Sequence, residues 1–276
     1  MERRAEPIRS ADNARLKAVR ALRAGRDREH LLLEGRHLVE EALAAGLTLH
    51  WLLCEEGALE ADPVLAALAA RAQTAGAEVL PCAPALLREA GDLESAADLL
   101  AWADRPVGDP LQLLARLQPG QWLLVAAGVQ EPGNVGALAR VAAGLGAAGF
   151  IATLGSASPW HPRALRGASG TSLRLPVAER ADALALVQDA QAAGAVTWAA
   201  ATLGEDLRAV AAAWAAAAHP PALLLLGEEG RGLPEELMAA CSRRVAVPLA
   251  RDVESLNVAT AAAILAWELF GRGEAR

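Results

Sequence analysis

Apolar and polar positions along the chain fall into short blocks whose period alternates between helical and strand-like, with Gly and Pro between them. Leu16, Val19 and Leu22 lie near helical spacing and Gly25 follows as a stop, which predicts a helix near 12–24. A strand is expected at His30–Glu34, then a helix from Gly35 through Ala45 that ends at Gly46. His50–Cys54 reads as a strand. Asp62-Pro63 opens a helix by capping and first-turn proline, Gly76 closes it, and Ala77–Leu80 is the next strand. The pattern then dissolves into Pro106, Gly108, Asp109 and Pro110, a linker signature.

Alternation resumes at Gln121–Ala126, an apolar run suited to a buried strand. A helix near 133–145, strands at 149–154 and 173–177, a helix at 180–193 and a strand at 195–200 follow. Pro220-Pro221 precede a strand at Ala222–Leu226, Pro234 starts a short helix, Val245–Val247 is a strand, and Asn257–Phe270 forms an apolar terminal helix. The expectation is an α/β chain with a smaller unit at 1–104, a linker at 105–119 and a larger unit with a mostly parallel sheet at 120–276. Two long uncharged runs, 141–162 and 209–227, are broken by glycines and by His219-Pro220-Pro221, so neither suits a membrane.

Composition supports this picture and adds a charge asymmetry. The 276 residues are 54% hydrophobic but only 3% aromatic, with no Tyr, so Ala, Leu and Val carry the core and disorder is excluded. Of the 26 basic residues only Lys17 is a lysine, which makes nearly every cationic contact a guanidinium. The net charge of −7 argues against a nucleic-acid partner until it is divided. Residues 1–28, Arg3 and Arg4 included, carry net +5, and the rest of the chain carries net −12. Arg163, Arg166 and Arg174 add a stretch without acids from His161 to Arg174. Cys54, Cys82 and Cys241 are odd in number and unpaired in spacing, so neither a disulfide framework nor a metal site is expected. The opening Met1-Glu2-Arg3-Arg4 lacks an apolar core behind it, which leads to the expectation of a cytoplasmic protein.

One familiar pattern is a decoy. Gly144-Leu145-Gly146-Ala147-Ala148-Gly149 matches the dinucleotide fingerprint, but a helix precedes it and a strand follows, the reverse of what phosphate binding needs. It is read as a helix stop, and a nucleotide-dependent oxidoreductase rests on nothing else. Three other segments depart from ordinary core. Glu131-Pro132-Gly133-Asn134-Val135-Gly136 through Arg140 leaves a strand by a Pro-Gly turn into a helix. Gly227-Glu228-Glu229-Gly230-Arg231-Gly232 brackets two carboxylates with glycines that permit close backbone approach. Ser255-Leu256-Asn257-Val258 feeds the final helix. Taken separately, Asn134, Ser255 and Asn257 are adequately explained as caps, and Arg140 as a residue of a solvated helix face.

In that order, Asn134-x-Gly136-x-x-x-Arg140, Gly227-x-Glu229-x-x-Gly232 and Ser255-Leu256-Asn257-Val258 resemble the three signature motifs of the SpoU (TrmH-like) branch of the SPOUT RNA methyltransferases. Arg166-Gly167-Ala168-Ser169-Gly170-Thr171 before Leu175-Pro176-Val177 resembles the segment after motif one. Asp12-Asn13-Ala14-Arg15-Leu16-Lys17 and Leu33-Glu34-Gly35-Arg36-His37 resemble the family's ribosomal-protein-like substrate domain. Glu228 stands where the family commonly has Asn, and Glu131 where Asp is frequent.

The resemblance implies a C-terminal SPOUT domain with a deep trefoil knot, an N-terminal RNA-binding domain at 1–104, a homodimer, and 2′-O-ribose methylation of structured RNA with S-adenosyl-L-methionine. The preferred substrate is 23S ribosomal RNA; transfer RNA and a non-catalytic RNA-binding role are the alternatives. It implies catalytic roles for Asn134, Arg140, Glu229, Ser255 and Asn257, and cofactor contacts at Gly227, Val247 and Leu256. A guanidinium keeps its proton at ordinary pH, so Arg140 is expected to clamp phosphate rather than act as base. Trp267 and Phe270 are candidates for either a dimer face or intrachain packing.

Overall fold

The computed structural model describes residues 6–91, 98–251 and 253–271; Arg3 and Arg4 of the basic arm lie outside them. In the first part of the chain the elements run α1 (Ala14–Arg23), β1 (His30–Glu34), α2 (Arg36–Ala44), β2 (Leu49–Glu55), α3 (Ala58–Ala61), α4 (Pro63–Thr74), β3 (Glu78–Cys82), α5 (Pro84–Ala90) and β4 (Leu99–Asp104). They continue with α6 (Pro110–Ala115), β5 (Trp122–Ala126), α7 (Pro132–Gly144), β6 (Gly149–Thr153), α8 (Pro162–Gly167), β7 (Val177–Ala181), α9 (Ala183–Ala192) and β8 (Val196–Glu205). The last are α10 (Leu207–Ala216), β9 (Ala222–Leu226), α11 (Glu235–Ala240), β10 (Arg243–Val245) and α12 (Val258–Phe270).

The chain divides into two compact units, one of Met1–Pro106 with Trp160–Arg174, the other of Val107–Pro159 with Leu175–Arg276. In the first, four strands order as β1-β4-β2-β3, antiparallel except for the β2–β3 pair. Local chemistry sets its helices. Asn13 Oδ1 accepts from Arg15 N to start α1, and Asp62 Oδ1 accepts from Val64 N and Leu65 N ahead of Pro63 to start α4. Leu16, Val19 and Leu22 then pack with Leu32, Leu53, Leu80 and Trp102.

In the second unit six strands order as β10-β8-β9-β5-β6-β7, all parallel. Their apolar runs are buried on both faces, the requirement of a parallel sheet covered by helices. One side closes around α9 and α11; on the other, Phe270 of α12 stacks on Trp122 at 4.3 Å and sits 5.4 Å from Trp198 and 5.2 Å from Trp214. Phe270 therefore packs within the chain, whereas Trp267 is 59% exposed. Strand order reverses beside β5 and β9. In open parallel sheets such a reversal opens a crevice at the strands' carboxyl ends.

Several elements differ from the sequence reading for identifiable reasons. Leu99–Asp104 forms β4, whose apolar run is buried between β1 and β2, partners more than forty positions away. The segment expected as linker holds α6, capped by Asp109 and packed on α9 and β7. Strand β7 starts at Val177 rather than 173, because a 3-10 turn occupies Thr171–Leu173 and Pro176 has only its carbonyl to offer, to Phe150 N at 2.9 Å. Strand β10 lies at Arg243–Val245, two residues before the expected span. The Ala-rich run also contains α10, started by Asp206, and among the described residues no helix is long and apolar enough to cross a membrane. The decoy glycines are a helix stop: Gly146 takes φ +77°, Ala147 N bonds back to Ala142 O at 2.8 Å, and β6 begins at Gly149.

Candidate active site

Adjacent strands β5 and β9 deliver the first two motifs to the same end of the sheet. The loop after β5 is held by Ser156, whose Oγ accepts from Gly128 N (2.9 Å) and Val129 N (3.2 Å) and donates to Ala126 O (3.0 Å). Glu131 then caps α7 by accepting from Gly133 N, with Pro132 in the first turn. Sequence reasoning missed Ser156, because its partners lie nearly thirty residues upstream and the Gly-Ser turn looks like any other.

Asn134, in the first turn of α7, donates from Nδ2 to Glu229 Oε1 at 2.5 Å. Its Oδ1 accepts from Asn257 Nδ2 at 3.1 Å. Asn257 Oδ1 in turn accepts from Ala259 N at 3.0 Å and Thr260 N at 3.3 Å, capping α12. One residue from each motif thus joins a single polar row, and Asn257 is both helix cap and link. The row has only one polarity. A carboxylate accepts without donating, so Asn134 must present its amide NH2 to Glu229 and its carbonyl to Asn257. The row runs from a helix amino terminus, with its partial positive charge, to the Glu229 carboxylate.

The other expected residues are placed around this row without joining it. Arg140 is exposed on α7, six positions beyond Asn134 and so about 120° around the helix, and has no ion pair among the described residues. Ser255 is exposed, and its side chain makes no hydrogen bond among the described residues. Gly227 is buried where the loop doubles back: Gly232 N bonds to Glu228 O at 2.8 Å, and a Cβ on Gly227 would strike the Gly232 carbonyl group and Leu233 N. Val247 and Leu256 are half-buried at either end of the segment between β10 and α12.

That segment has a distinctive backbone. Among the described residues of 246–256, the one backbone hydrogen bond is Val253 N to Ala250 O, at 3.4 Å. Arg251 takes φ +59°. Half-buried Val247 and Leu256 flank this stretch, most of whose described residues are exposed.

Many arginines of the first unit are neutralised. In the first unit Arg23 and Arg166 both pair with Glu34, whose side chain is 1% exposed. Arg174 pairs with Glu41 at 2.6 Å, Arg9 with Glu56 at 2.6 Å, Arg20 with Glu89 at 3.7 Å, and Arg15 with Glu78. Arg36 bridges Asp98 and Asp62, and these bonds push its pKa up while the Leu65 amide and Arg36 push that of Asp62 down. Arg26 and Arg28 are exposed and carry no ion pair among the described residues. Burial pushes the Cys54 thiol up to about 12 and the Cys241 thiol up to about 11, which makes both poor nucleophiles.

Comparison with known sequences and structures places the chain in a family. A profile described as the SpoU rRNA Methylase family matches residues 121–267, and one described as an MRM3-like substrate binding domain matches residues 13–101. An uncharacterised tRNA/rRNA methyltransferase of Synechocystis is 30% identical over 268 residues, covering 95% of this chain and 92% of its own. The 23S rRNA (guanosine(2553)-2′-O)-methyltransferase RlmP of Bacillus subtilis is 27% identical over 268 residues, 96% of this chain and 99% of its own. The AdoMet-bound rRNA methyltransferase of Sinorhizobium meliloti superposes with a TM-score of 0.83 at 23% identity, covering 98% of this chain and 99% of that one.

Proposed function

The chain belongs to the SpoU rRNA Methylase family, and on that premise we propose that it transfers a methyl group from S-adenosyl-L-methionine to a ribose 2′-oxygen of 23S ribosomal RNA. The observation that carries this reading is the hydrogen-bonded row Glu229–Asn134–Asn257, which ties the three motifs together beside β5 and β9. Two full-length relatives named as RNA methyltransferases, one of them a 23S rRNA 2′-O-methyltransferase, support the substrate class.

When bound, S-adenosylmethionine supplies a methyl group on a sulfonium. The residues that would hold it are Gly227, Val247 and Leu256, with main-chain groups of the described residues between β10 and α12 available to its polar ends. Glu229, its Oε1 fixed by Asn134, accepts the proton that the 2′-hydroxyl loses as the new carbon–oxygen bond forms. Arg140 clamps the adjacent phosphate and stabilises charge on the ribose oxygen. Asn134 and Asn257 set the carboxylate's position, and the exposed Ser255, with no side-chain hydrogen bond among the described residues, is available to contact the substrate.

The same proposal covers the finer architecture. Residues 1–104 form the RNA-binding domain, supported by the substrate-domain match over 13–101. The segment around β10 and α12 forms a deep trefoil knot, supported by family membership. The active form is a homodimer in the cytoplasm, supported by Ile264 and Trp267, 37% and 59% exposed on α12. Mass-spectrometric mapping of ribose methylations in a deletion strain against its parent tests the function. Loss of one 2′-O-methyl from 23S rRNA is expected. An unchanged rRNA pattern with a missing transfer-RNA methyl would move the substrate to tRNA.

A further inference from the structure

The first unit holds a cluster that methyl transfer does not use. His30 on β1 and Asp104 on β4 are direct cross-strand partners. His50 lies on β2, the other neighbour of β4, at a register shift: Leu49 pairs with Ala103 and Trp51 with Trp102, leaving His50 as the extra residue of a bulge. Bulges re-aim side chains. Three adjacent strands therefore present two imidazoles and a carboxylate at one end of the sheet, with one ligand atom from each within 4.8 Å of the others.

The surroundings have the features of a cation site. His50 Nε2 is 2.6 Å from Asp104 Oδ1. His30 Nδ1 is 2.9 Å from Asp27 Oδ2, so in the neutral ring that nitrogen carries the hydrogen and Nε2 keeps its lone pair. A carboxylate behind a histidine is the usual outer support of a metal-bound imidazole. Trp102 stacks on His30 at 5.1 Å and on Trp51 at 5.4 Å, which gives the cluster a rigid apolar wall.

We propose that His30, His50 and Asp104 bind a late first-row divalent cation, zinc foremost, which ties β1, β4 and β2 together at the strand ends. Imidazole and carboxylate donors suit such a cation, and water completes its coordination. Local motif reading found no metal site because these ligands are far apart in sequence and include no cysteine.

Isothermal titration of the untagged, chelator-treated full chain with zinc sulfate tests this. One equivalent per chain is expected, with a rise in unfolding temperature. His50→Gln and Asp104→Asn, both at exposed positions, are each expected to lower affinity at least about tenfold, and Asp27→Asn by about tenfold. His37→Gln, whose ring instead bonds Ser169, serves as the histidine control and should bind as the parent does. Circular dichroism confirms the fold of each variant. Absence of zinc uptake, or uptake unchanged in both His50→Gln and Asp104→Asn, would overturn the proposal.

Discussion

The two units handle charge in opposite ways. In the first, arginines are numerous and mostly spent on acidic partners of the same unit, among them the deeply buried Glu34 held by Arg23 and Arg166. In the second, the motif region has a single internally bonded row of two amides and one carboxylate, and beside it an exposed Arg140 without an ion pair among the described residues. A high local count of arginine therefore goes with ion pairs inside the first unit, whereas in the second Arg116, Arg140, Arg180, Arg231 and Arg251 are exposed without an ion pair among the described residues. Net charge per segment cannot separate these cases, because partners such as Arg166 and Glu34 lie 132 residues apart.

The sharpest way to break this contrast is Asn134→Ala. Removing the central amide frees Glu229 and should lower kcat about a hundredfold or more in a methyl-transfer assay, while urea denaturation shows a loss of about 1 kcal/mol. A stability loss without a kinetic one would make the row structural. Glu34→Ala should act in the reverse sense, costing about 2–3 kcal/mol in urea denaturation because two guanidinia lose a buried partner, with partial exposure of both arginines moderating the loss. Next in size is Gly227→Ala, expected to cost about 1–3 kcal/mol because the clash is with backbone that cannot rotate away. The smallest effects belong to exposed pairs: Arg9→Ala and Arg20→Ala should each change stability by less than about 1 kcal/mol. Charge removal at Arg26 and Arg28, which carry no ion pair among the described residues, should weaken RNA binding in a filter assay more than removal at paired Arg15.

Much of the fold was legible because it rests on local signals. Asp62-Pro63 starts α4, Gly146 stops α7, and the apolar runs at Trp122–Ala126 and Ala222–Leu226 are the two central strands of the parallel sheet. What escaped depends on partners distant in sequence. Leu99–Asp104 is a strand because β1 and β2 flank it, and α6 and α10 become helices where Asp109 and Asp206 cap short runs that an apolar count reads as linker or as one long segment. For the site, spacing and resemblance together identified Asn134, Glu229 and Asn257, but their mutual bonds and the order of donors and acceptors came only from the fold. Ser156 and the cluster of His30, His50 and Asp104 left no local trace, since each is defined by contacts across the sheet or between loops.

We propose that the row joining the three motifs serves ribose methylation. Its most direct test is transfer of a labelled methyl group from S-adenosylmethionine to 23S rRNA isolated from a deletion strain, followed by nucleoside analysis, for the parent protein and for Glu229→Gln, Asn134→Ala and Arg140→Ala. Label on a ribose 2′-oxygen is expected with the parent, and a loss of about a hundredfold or more in each variant, with the melting temperature nearly unchanged for Glu229→Gln and Arg140→Ala and lowered by about 2–4 °C for Asn134→Ala. Label on a base, or near-parental transfer by Glu229→Gln and Arg140→Ala, would contradict it.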